Sequence, residues 1–478
     1  MAGGGDHAFG AAAEAAAVKD DVDAEVVVVG GGIAGLATAV ALRRAGVETS
    51  GGRGGVLVLE RHAELRAMGA ALTIFPNGWF ALRALGVAHK LTSRYEAYET
   101  SKATNLETGA TQVFRFAGTK SKDEDVRVRA LDRKALLEAL AEELPPGTIR
   151  FSSKLVSIDT ERAAGDASET VVLRLDDGAV IRAKALIGCD GVHSVVARWL
   201  GLPDPASSGR SAVRGLSVFP GGHGVKRELR QFLSQGLRAG MVPISDTDIY
   251  WFLVNDTVPA GKSSIKQVTA HSYHTTSFRA SECQTRHCIS NSLSAEKDAA
   301  GDPAKTLREV TGDLAGHMPS EYLDVVRHTD HGNLSWAPLL YRNPFSILTC
   351  AAARGPVTVA GDAFHPMTPD MAQGGCSALE DAVVLARSLA AAATPADGVA
   401  AYVAARRWRA AWLVAGAYLS GWVQQGGTNV RGVRGWVVKV FRDWVFYPFV
   451  FPRLADTMWF DCGDLVAPCG DEGKSHAE

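Results

Sequence analysis

A glycine-rich loop between an apolar strand and a helix is the feature that most constrains the fold of this chain. Residues 25–29 form a β-branched, apolar run, which is typical of a strand that is buried on both faces. The residues that follow have the pattern G-x-G-x-x-G and lead into a helix-forming stretch. In this setting Gly30 makes the tight turn, Gly32 lets the backbone approach a pyrophosphate, and Gly35 lets helix and strand pack closely. The segment therefore predicts a Rossmann-type unit that binds a dinucleotide.

An acidic residue at the end of the second predicted strand supports the same unit. Residues 56–59 form another apolar run, and Glu60 follows in the position where a carboxylate hydrogen-bonds a ribose hydroxyl. Glu60 lies 25 residues after Gly35, whereas a spacing of about 20 is usual. The excess lies in the polar, glycine-rich segment 48–55. We interpret this segment as a surface excursion that leaves the strand register intact.

A strand that ends in Asp-Gly is predicted near the middle of the chain. Residues 185–189 are apolar, Asp190 follows them, and Ser194 is expected to cap a helix that runs through Trp199. His193 has two interpretations, a catalytic base or a residue at a helix start beside a cofactor. The second is favoured because no partner acid or nucleophile occurs at a recognisable spacing.

A longer motif of the same kind occupies residues 356–375. It predicts a buried strand, then Gly361 and Asp362, then a loop punctuated by prolines, and finally a glycine-rich entry into a helix through Gly374 and Gly375. Such a loop holds a carboxylate at a strand end and aims backbone N–H groups from a helix start at one ligand.

Arg133 is an unusual residue for the start of a helix. It lies in the N-terminal turn of a helix predicted at 132–140, where the helix dipole disfavours positive charge. The position indicates an anionic neighbour. The alternative is a solvated surface arginine.

The middle of the chain also predicts an antiparallel sheet, which is a natural wall for a substrate cavity. Its strand-like pieces are residues 216–220, 230–233, 240–243 and 249–254. Two earlier strands are predicted at 148–158 and 171–175. Residues 263–304 lose periodicity and become polar, so we interpret them as a disordered insertion. Two cysteines inside it, Cys283 and Cys288, match no standard zinc spacing.

The C-terminal region predicts helices rich in tryptophan. They are expected at 376–391 and 398–425, and six of the ten tryptophans fall between Trp408 and Trp459. One interpretation is a helical lid packed on the body of the protein. The other is contact with a membrane surface or an apolar partner, because cations such as Arg434 and Lys439 interleave with the aromatic residues.

Bulk properties exclude several classes of protein. Fifty Lys and Arg against 52 Asp and Glu give a net charge of −2 without a basic block, so no nucleic-acid partner is expected. Seven scattered cysteines indicate reduced thiols, and no metal site is predicted. No uncharged apolar run reaches about 18 residues. Residues 1–24 lack the features of a targeting segment, and we interpret them as the disordered tail of a cytoplasmic protein.

Three elements in this order resemble the class A FAD-dependent monooxygenases. They are G-x-G-x-x-G with a strand-end acid, Gly-Cys-Asp-Gly-x-x-Ser, and Gly-Asp-Ala-x-His-Pro-x-x-Pro. The phrases around residues 365–381 are most similar to the plant branch that includes the salicylate-hydroxylase-like monooxygenases and zeaxanthin epoxidase. The resemblance implies an α/β fold like that of para-hydroxybenzoate hydroxylase. In that fold a Rossmann-type FAD-binding domain is interleaved with an antiparallel-sheet substrate domain, and C-terminal helices follow.

The resemblance also implies where the domains begin and end. The FAD-binding domain is expected at 25–90, 127–210 and 341–395, the substrate domain at 91–126 and 211–340, and the C-terminal helical region at 396–478.

Site roles follow from the resemblance residue by residue. The residues expected to contact the cofactor are Gly30, Gly32, Ile33, Ala34, Gly35, Glu60, Arg61, Arg133, Asp190, Gly361, Asp362, Gly374 and Gly375. The glycine loop would admit the FAD pyrophosphate, Glu60 would bind the adenosine ribose, and Arg133 would meet the phosphate or ribityl region. Asp362 would bind the ribityl chain, and Asp190 would serve both FAD and NAD(P)H. Pro369, Gln373 and Gly374 are expected near the isoalloxazine, and the flavin itself carries the chemistry.

The implied activity is oxygenation of a small molecule. NAD(P)H would reduce the flavin, O₂ would add to form a C4a-hydroperoxide, and a dry cavity would protect that species. One oxygen atom would then pass to a small aromatic or apolar substrate. The alternatives are a flavin-dependent reductase or desaturase, and a catalytically impaired flavin-binding protein. Ala372 and the insertion at 263–304 motivate the last. The family usually has glycine at position 372, and the alanine methyl is expected to crowd the flavin or a backbone with positive φ.

Overall fold

The structure, a computed structural model, describes most of the chain. The described residues are 22–47, 55–66, 71–116, 124–162, 169–234, 236–256, 303–425, 433–450 and 457–465. Residues 1–21 of the expected tail and 263–302 of the expected insertion lie outside them, as do both cysteines of the insertion. Among the helices within these ranges, none combines the length and apolar character needed to cross a membrane.

Strands and helices alternate along the described chain. The strands are β1 (Val22–Val29), β2 (Val56–Leu59), β3 (Ala71–Ile74), β4 (Thr100–Asn105), β5 (Thr111–Arg115), β6 (Arg129–Asp132), β7 (Ile149–Arg150), β8 (Leu155–Arg162), β9 (Glu169–Leu175), β10 (Val180–Gly188), β11 (Ala206–Val218), β12 (Leu229–Ser234), β13 (Leu237–Pro243), β14 (Asp248–Asn255), β15 (Ser335–Tyr341), β16 (Ala353–Arg354) and β17 (Val357–Val359). The α-helices are α1 (Ile33–Arg44), α2 (Pro76–Ala84), α3 (Ala88–Thr92), α4 (Arg133–Ala141), α5 (Val195–Trp199), α6 (Pro303–Arg308), α7 (Ser320–Arg327), α8 (Pro344–Thr349), α9 (Gly374–Ala391), α10 (Pro395–Gln424) and α11 (Val433–Phe441). π-helical turns span Glu309–Leu314 and Arg442–Val450.

The first sheet has a parallel centre. Its order is β16-β17-β10-β1-β2-β7, and the antiparallel pair β8-β9 joins it through β10. The strands β17, β10, β1, β2 and β7 run parallel. The side chains of residues 26–29 in β1 are almost wholly buried, as the sequence predicts. The carboxyl ends of parallel strands meet at one edge of a sheet. Gly30, Glu60, Asp190 and Gly361 each follow such an end, so the topology brings these distant residues to one edge.

The second sheet is mostly antiparallel and has two different faces. Its order is β15-β11-β14-β13-β12-β4-β5. Because side chains alternate along a strand, Trp251 and Leu253 pack into a core with α7, whereas Tyr250 and Phe252 point to the other side. β4 and β5 precede β6 and β7 in the chain, so the two sheets are interleaved in sequence. The predicted α/β architecture with C-terminal helices is confirmed.

Two predicted strands have wrong limits. The strand expected at 216–220 is the end of β11, which begins at Ala206, ends at Val218, and pairs with both β14 and β15. The strand expected at 148–158 is two strands, β7 and β8. Ser152 between them has a φ of 50°, a left-handed backbone conformation that interrupts an extended run. β7 then joins the parallel sheet, and β8 pairs with β9.

The expected limits of the tail and the insertion are also wrong. Val22, Asp23 and Ala24 belong to β1, because they pair with Ile181–Ala183 of β10 and so gain ladder hydrogen bonds. Pro303 begins α6, inside the segment that was expected to be disordered through residue 304. Proline favours the first turn of a helix, where no N–H partner is needed.

A buried charged cluster fastens the C-terminal helices to the loop after β17. The Arg406 side chain of α10 donates from Nε to Asp381 Oδ1 at 2.7 Å and from Nη1 to Glu380 Oε2 at 2.5 Å. Asp381 Oδ2 accepts from the backbone N–H of Gly361 at 2.8 Å and lies 2.6 Å from His365 Nε2. Burial alone would raise the pKa of Asp381, but His365 and Arg406 lower it to about 2. The carboxylate therefore stays ionised and ties α9, α10 and the loop together.

Replacing Arg406 by methionine is expected to destabilise the protein by about 3–5 kcal/mol, because buried Asp381 would lose its guanidinium partner and buried Glu380 would keep only that of Arg409. Arg407→Met, one residue along the same helix, is the matched control. The Arg407 Nη1 group donates to the carbonyl oxygen of Leu348 at 2.8 Å, and no carboxylate of the described residues pairs with it. A loss of about 1 kcal/mol is expected there. Urea unfolding of both variants measures the difference, and equal losses would contradict the role given to the cluster.

Candidate active site

A cavity of about 610 Å³ lies between the strand ends of the first sheet and the open face of the second. One side is lined by Gly32, Ile33, Ala34, Arg133, Asp362, Pro369, Gly374 and Gly375. The other side is lined by Ser101, Phe114, Phe116, Ala212, Arg214, Gln231, Arg238, Tyr250, Phe252 and Val254. The fold thus brings residues of three predicted motifs to the same space as the antiparallel sheet. The other predicted site residues do not line the cavity; they are Gly30, Gly35, Glu60, Arg61, Asp190, Gly361 and Gln373.

The three glycines of the first loop have distinct environments. Gly30 has a φ of 109°, and a Cβ on it would overlap the carbonyl oxygen of Cys189. A Cβ on Gly35 would overlap the carbonyl oxygen of Gly30. A Cβ on Gly32, in contrast, would meet no atom within 4 Å and would project into open space beside the cavity. Packing therefore requires the outer two glycines, and the middle one leaves room for a ligand.

The start of α1 faces the open space beside Gly32. Gly32 is the residue before the helix, and no side chain caps the first turn. Ile33 and Ala34 of that turn line the cavity. An uncapped helix start offers backbone N–H groups and the positive end of the helix dipole, which together suit a phosphate.

Glu60 and Arg61 lie behind the glycine loop. Glu60 Oε2 accepts from the backbone N–H of Gly31 at 2.7 Å, and Oε1 accepts from the backbone N–H of His62 at 2.9 Å. The Glu60 carboxylate, at the end of β2, therefore also stabilises the backbone of the glycine loop through a hydrogen bond. The guanidinium of Arg61 is exposed, and its Nε donates to His62 Nε2 at 3.3 Å. Neither side chain is part of the cavity wall.

The Asp-Gly segment forms a helix cap. Asp190 Oδ2 accepts from the backbone N–H of Val195 at 2.6 Å, and burial raises the pKa of Asp190. Ser194 Oγ accepts from the N–H of Ala197 at 2.8 Å and caps α5, which confirms the predicted cap. His193 is exposed at this helix start. Gly191 lines the cavity beside Asp190.

Arg133 and Asp362 bring opposite charges to the cavity. Arg133 is the first residue of α4, and its Nε is buried without a hydrogen-bond partner in the described structure. Burial lowers the pKa of Arg133, and Asp362 opposes this effect. Asp362 is exposed to the cavity beside α9, since a Cβ on Gly374 would lie 3.9 Å from its Oδ1. The anionic neighbour expected for Arg133 is therefore present.

The loop before α9 carries an unusual backbone. Ala372 has φ 51° and ψ 32°, a left-handed conformation that glycine adopts without strain. Of the two alternatives stated for Ala372, the backbone with positive φ is present. α9 begins at Gly374, and Gln373 before it accepts from Asn77 Nδ2 at 2.8 Å through its Oε1. Gly374 and Gly375 line the cavity, so a second uncapped helix start faces the same space.

Sequence reasoning missed the polar groups on the antiparallel sheet. Arg214 is half-buried in the cavity wall, and no hydrogen bond or ion pair to another described residue accompanies it. Arg214 pairs with Phe252 of β14, and Tyr250 lies two residues before Phe252 on the same face of that strand. Burial raises the pKa of the Tyr250 phenol, and Arg214 opposes this effect. Alternation of polar and apolar residues identified the strands, but it does not tell which face borders the cavity.

The cavity fits FAD. The room beside Gly32, the buried Arg133 Nε without a partner, and the two uncapped helix starts suit an elongated ligand that carries phosphates and a ring with anionic character. Asp362 between them offers acceptor atoms for hydroxyl groups.

Comparison with known proteins agrees with this geometry. The sequence matches the FAD binding domain family over residues 23–283 and 346–417. It is 32% identical to Monooxygenase 2 of Arabidopsis thaliana over 467 residues, which covers 94% of this chain and 100% of that protein. Monooxygenase 1 of the same plant is 33% identical over 419 residues, with 85% and 92% covered.

A solved structure shows the same fold. It is that of HpxO from Klebsiella pneumoniae in complex with FAD and uric acid, with a TM-score of 0.70 and 22% identity, covering 91% of this chain and 96% of that one. The family match spans well over half of the present sequence, and the plant relatives match it along most of their length. This protein is an oxidoreductase that belongs to the class A FAD-dependent monooxygenases.

Proposed function

We propose that this protein consumes NAD(P)H and O₂ to insert one oxygen atom into a small aromatic substrate that carries a negatively charged group. The observation that supports the proposal is a single cavity shared by two surfaces. One surface has helix starts and an open glycine loop, and the other has aromatic side chains with Arg214 among them. A ligand held on the second surface lies next to a cofactor held on the first.

On the cofactor side, each group has a proposed task. Gly32, Ile33 and Ala34 admit the pyrophosphate to the α1 start, and Arg133 neutralises phosphate charge. Asp362 accepts hydrogen bonds from the ribityl hydroxyls. The start of α9 presents N–H groups to the flavin ring and favours negative charge there. Bound FAD supplies hydride acceptance and oxygen activation.

On the substrate side, the wall selects shape and charge. Phe114, Phe116 and Phe252 provide flat apolar surfaces that exclude water from the reacting atoms. Arg214 supplies a cation without a carboxylate partner in the described structure, which an anionic substrate would neutralise. The Tyr250 hydroxyl beside it can donate a hydrogen bond. Uric acid, the ligand of the HpxO complex, is also planar and acidic, which supports the same substrate class.

Alanine substitutions in the glycine loop should separate cofactor binding from folding. Gly32→Ala is expected to leave the thermal midpoint of the apoprotein unchanged and to weaken FAD binding at least tenfold, because its methyl group would occupy ligand space. Gly35→Ala is expected to lower the thermal midpoint of the apoprotein, because its methyl group would overlap the Gly30 carbonyl oxygen. Thermal unfolding and FAD titration measure the two effects. If Gly32→Ala left FAD affinity intact, the pyrophosphate would have to lie elsewhere.

Turnover by the FAD-loaded protein tests the activity directly. With a panel of aromatic carboxylates, we expect substrate-dependent NAD(P)H oxidation, equimolar O₂ uptake, and a hydroxylated product that contains one ¹⁸O atom when the reaction runs under ¹⁸O₂. Product formation without O₂ uptake would favour a reductase or desaturase. FAD binding without turnover of any panel member would favour a catalytically impaired flavoprotein, an alternative motivated by the left-handed Ala372.

Arg214→Met should change the KM of that reaction more than its kcat. A charge-assisted hydrogen bond contributes about 1.5–3 kcal/mol, so the KM for an aromatic carboxylate should rise about 10- to 150-fold. The corresponding neutral carboxamide should be almost unaffected. Arg115→Met is the matched control, since Arg115 also lines the cavity but is exposed. An equal effect of both variants would remove Arg214 from the substrate site.

We further propose that the tryptophan-rich C-terminal helices contact a lipid surface. Trp408 and Trp412 on α10 are 72% and 60% exposed, and Trp436 and Trp444 are 64% and 74% exposed. Tryptophan prefers the membrane interface, where its ring is half solvated. Of the expected cations, Lys439 contributes less than its position in the sequence indicated, because its ammonium group binds Glu107 at 2.9 Å. The contact is therefore apolar rather than electrostatic.

Vesicle flotation distinguishes these two kinds of contact. The FAD-loaded protein is expected to float with vesicles of neutral phosphatidylcholine, and raising the salt concentration should not release it. Replacing Trp408 and Trp412 together by serine should abolish flotation, whereas Val156→Ser, an exposed control on β8, should not. Absence of flotation by the unaltered protein would support the interpretation of these helices as a lid alone.

A further inference from the structure

A second buried charged cluster joins the loop before α9 to the antiparallel sheet. Asp370 lies in the turn Pro369–Met371, two residues before the left-handed Ala372. Asp370 Oδ1 accepts from Arg238 Nη1 at 2.7 Å and from Arg210 Nη1 at 3.1 Å. Asp370 Oδ2 accepts from Arg210 Nη2 at 2.7 Å. All three side chains are almost completely buried.

The two arginines outnumber the carboxylate, and this keeps Asp370 charged. Burial alone would raise the pKa of Asp370, but Arg210 and Arg238 outweigh burial and lower it. A buried ion pair that loses one partner leaves an uncompensated charge, which strongly penalises separation of the loop from the sheet. α10 packs closely over the cluster, since a Cβ on Gly421 would overlap the carboxylate of Asp370.

The two arginines occupy different places. Arg238 lines the cavity, its Nε donates to Gln231 Oε1 at 3.0 Å, and its guanidinium lies 5.2 Å from the centre of the Phe252 ring. Arg210 is not part of the cavity wall, and its Nη1 also donates to Gln425 Oε1 at 2.9 Å. Both arginines therefore hold the loop from the antiparallel sheet, Arg238 from β13 at the cavity wall and Arg210 from β11 next to the end of α10.

The loop needs such a restraint. Ala372 adopts a left-handed backbone, which costs a non-glycine residue about 1 kcal/mol or more. The first turn of α9, which faces the cavity, begins two residues later. Any relaxation of Ala372 toward an ordinary backbone conformation would displace that turn. The cluster acts against this relaxation, because Asp370 is fixed only two residues away.

We propose that Asp370 is a positioning residue for the bound flavin, because its two arginine partners fix the loop and the start of α9 against the sheet that faces the substrate. The part of this inference that concerns the flavin rests on the proposed function. The part that concerns the loop holds for the apoprotein alone, so the two can fail separately.

Hydrogen–deuterium exchange of the apoprotein tests the restraint without cofactor or substrate. In Asp370→Asn, Arg210→Met and Arg238→Met, amides of residues 367–375 are expected to exchange at least tenfold faster. Asp397→Asn, which replaces an exposed aspartate near the start of α10, is the control and should leave exchange in this segment unchanged.

Two results would overturn the proposal. One is unchanged exchange at 367–375 in folded Asp370→Asn, Arg210→Met and Arg238→Met. The other is faster exchange spread evenly over the whole chain, which indicates general destabilisation. If Asp370→Asn does not fold, Arg238→Met and Arg210→Met carry the same test.

A spectroscopic measurement tests the link to the flavin. At equal FAD occupancy, iodide quenching of flavin fluorescence is expected to rise at least twofold in Asp370→Asn and Arg238→Met relative to Asp397→Asn. A purely structural role would lower the thermal midpoint and leave quenching unchanged, and that result would overturn the positioning role. Failure of every variant and of the unaltered protein to bind FAD would contradict the proposed function, and the exchange experiment would still decide the role of the cluster in the loop.

Discussion

The buried ion pairs of Arg406 are the interaction on which the arrangement of the cavity depends. A single guanidinium holds two carboxylates of α9, and one of those carboxylates also binds the backbone of Gly361 and the ring of His365. Charges buried this deeply are costly unless every one is paired, so the cluster permits little variation in how α9, α10 and the loop after β17 meet. The start of α9 faces the cavity because these contacts fix its direction.

The second cluster, which consists of Asp370, Arg210 and Arg238, restrains the loop against the antiparallel sheet in the same way. Asp370 is paired with arginines from β11 and β13, so the loop that borders the cofactor space is bound to the sheet that borders the substrate space. The two clusters act at opposite ends of one short loop. In the chain Ala372 lies between Asp370 of the second cluster and Glu380 of the first, and it holds a left-handed conformation that its own side chain disfavours. The ion pairs that precede and follow Ala372 in the chain stabilise this strained backbone conformation.

Much of the fold could be predicted from the sequence, because its signals are local. Glycine at 30, 32 and 35 after an apolar run specifies a strand, a turn and a helix, and each of these elements is present. The cap at Ser194 also follows from neighbouring residues, whereas a positive φ at Ala372 was one of two alternatives that came from the family resemblance. Strand limits were less predictable. Pairing partners decide where β11 begins, and a left-handed Ser152 divides β7 from β8.

The sequence by itself determined the class of fold, the cofactor-binding loop and the strand ends where ligand groups would meet, since turns, caps and parallel strands obey short-range rules. Only the tertiary structure decided which charges face the cavity and which are buried in ion pairs. Arg214 and Arg210 lie on the same strand, yet Arg214 faces the cavity without a carboxylate partner in the described structure, and Arg210 is buried against Asp370. Their difference depends on residues far away in the chain, because the energy of a charge is set by what surrounds it in space.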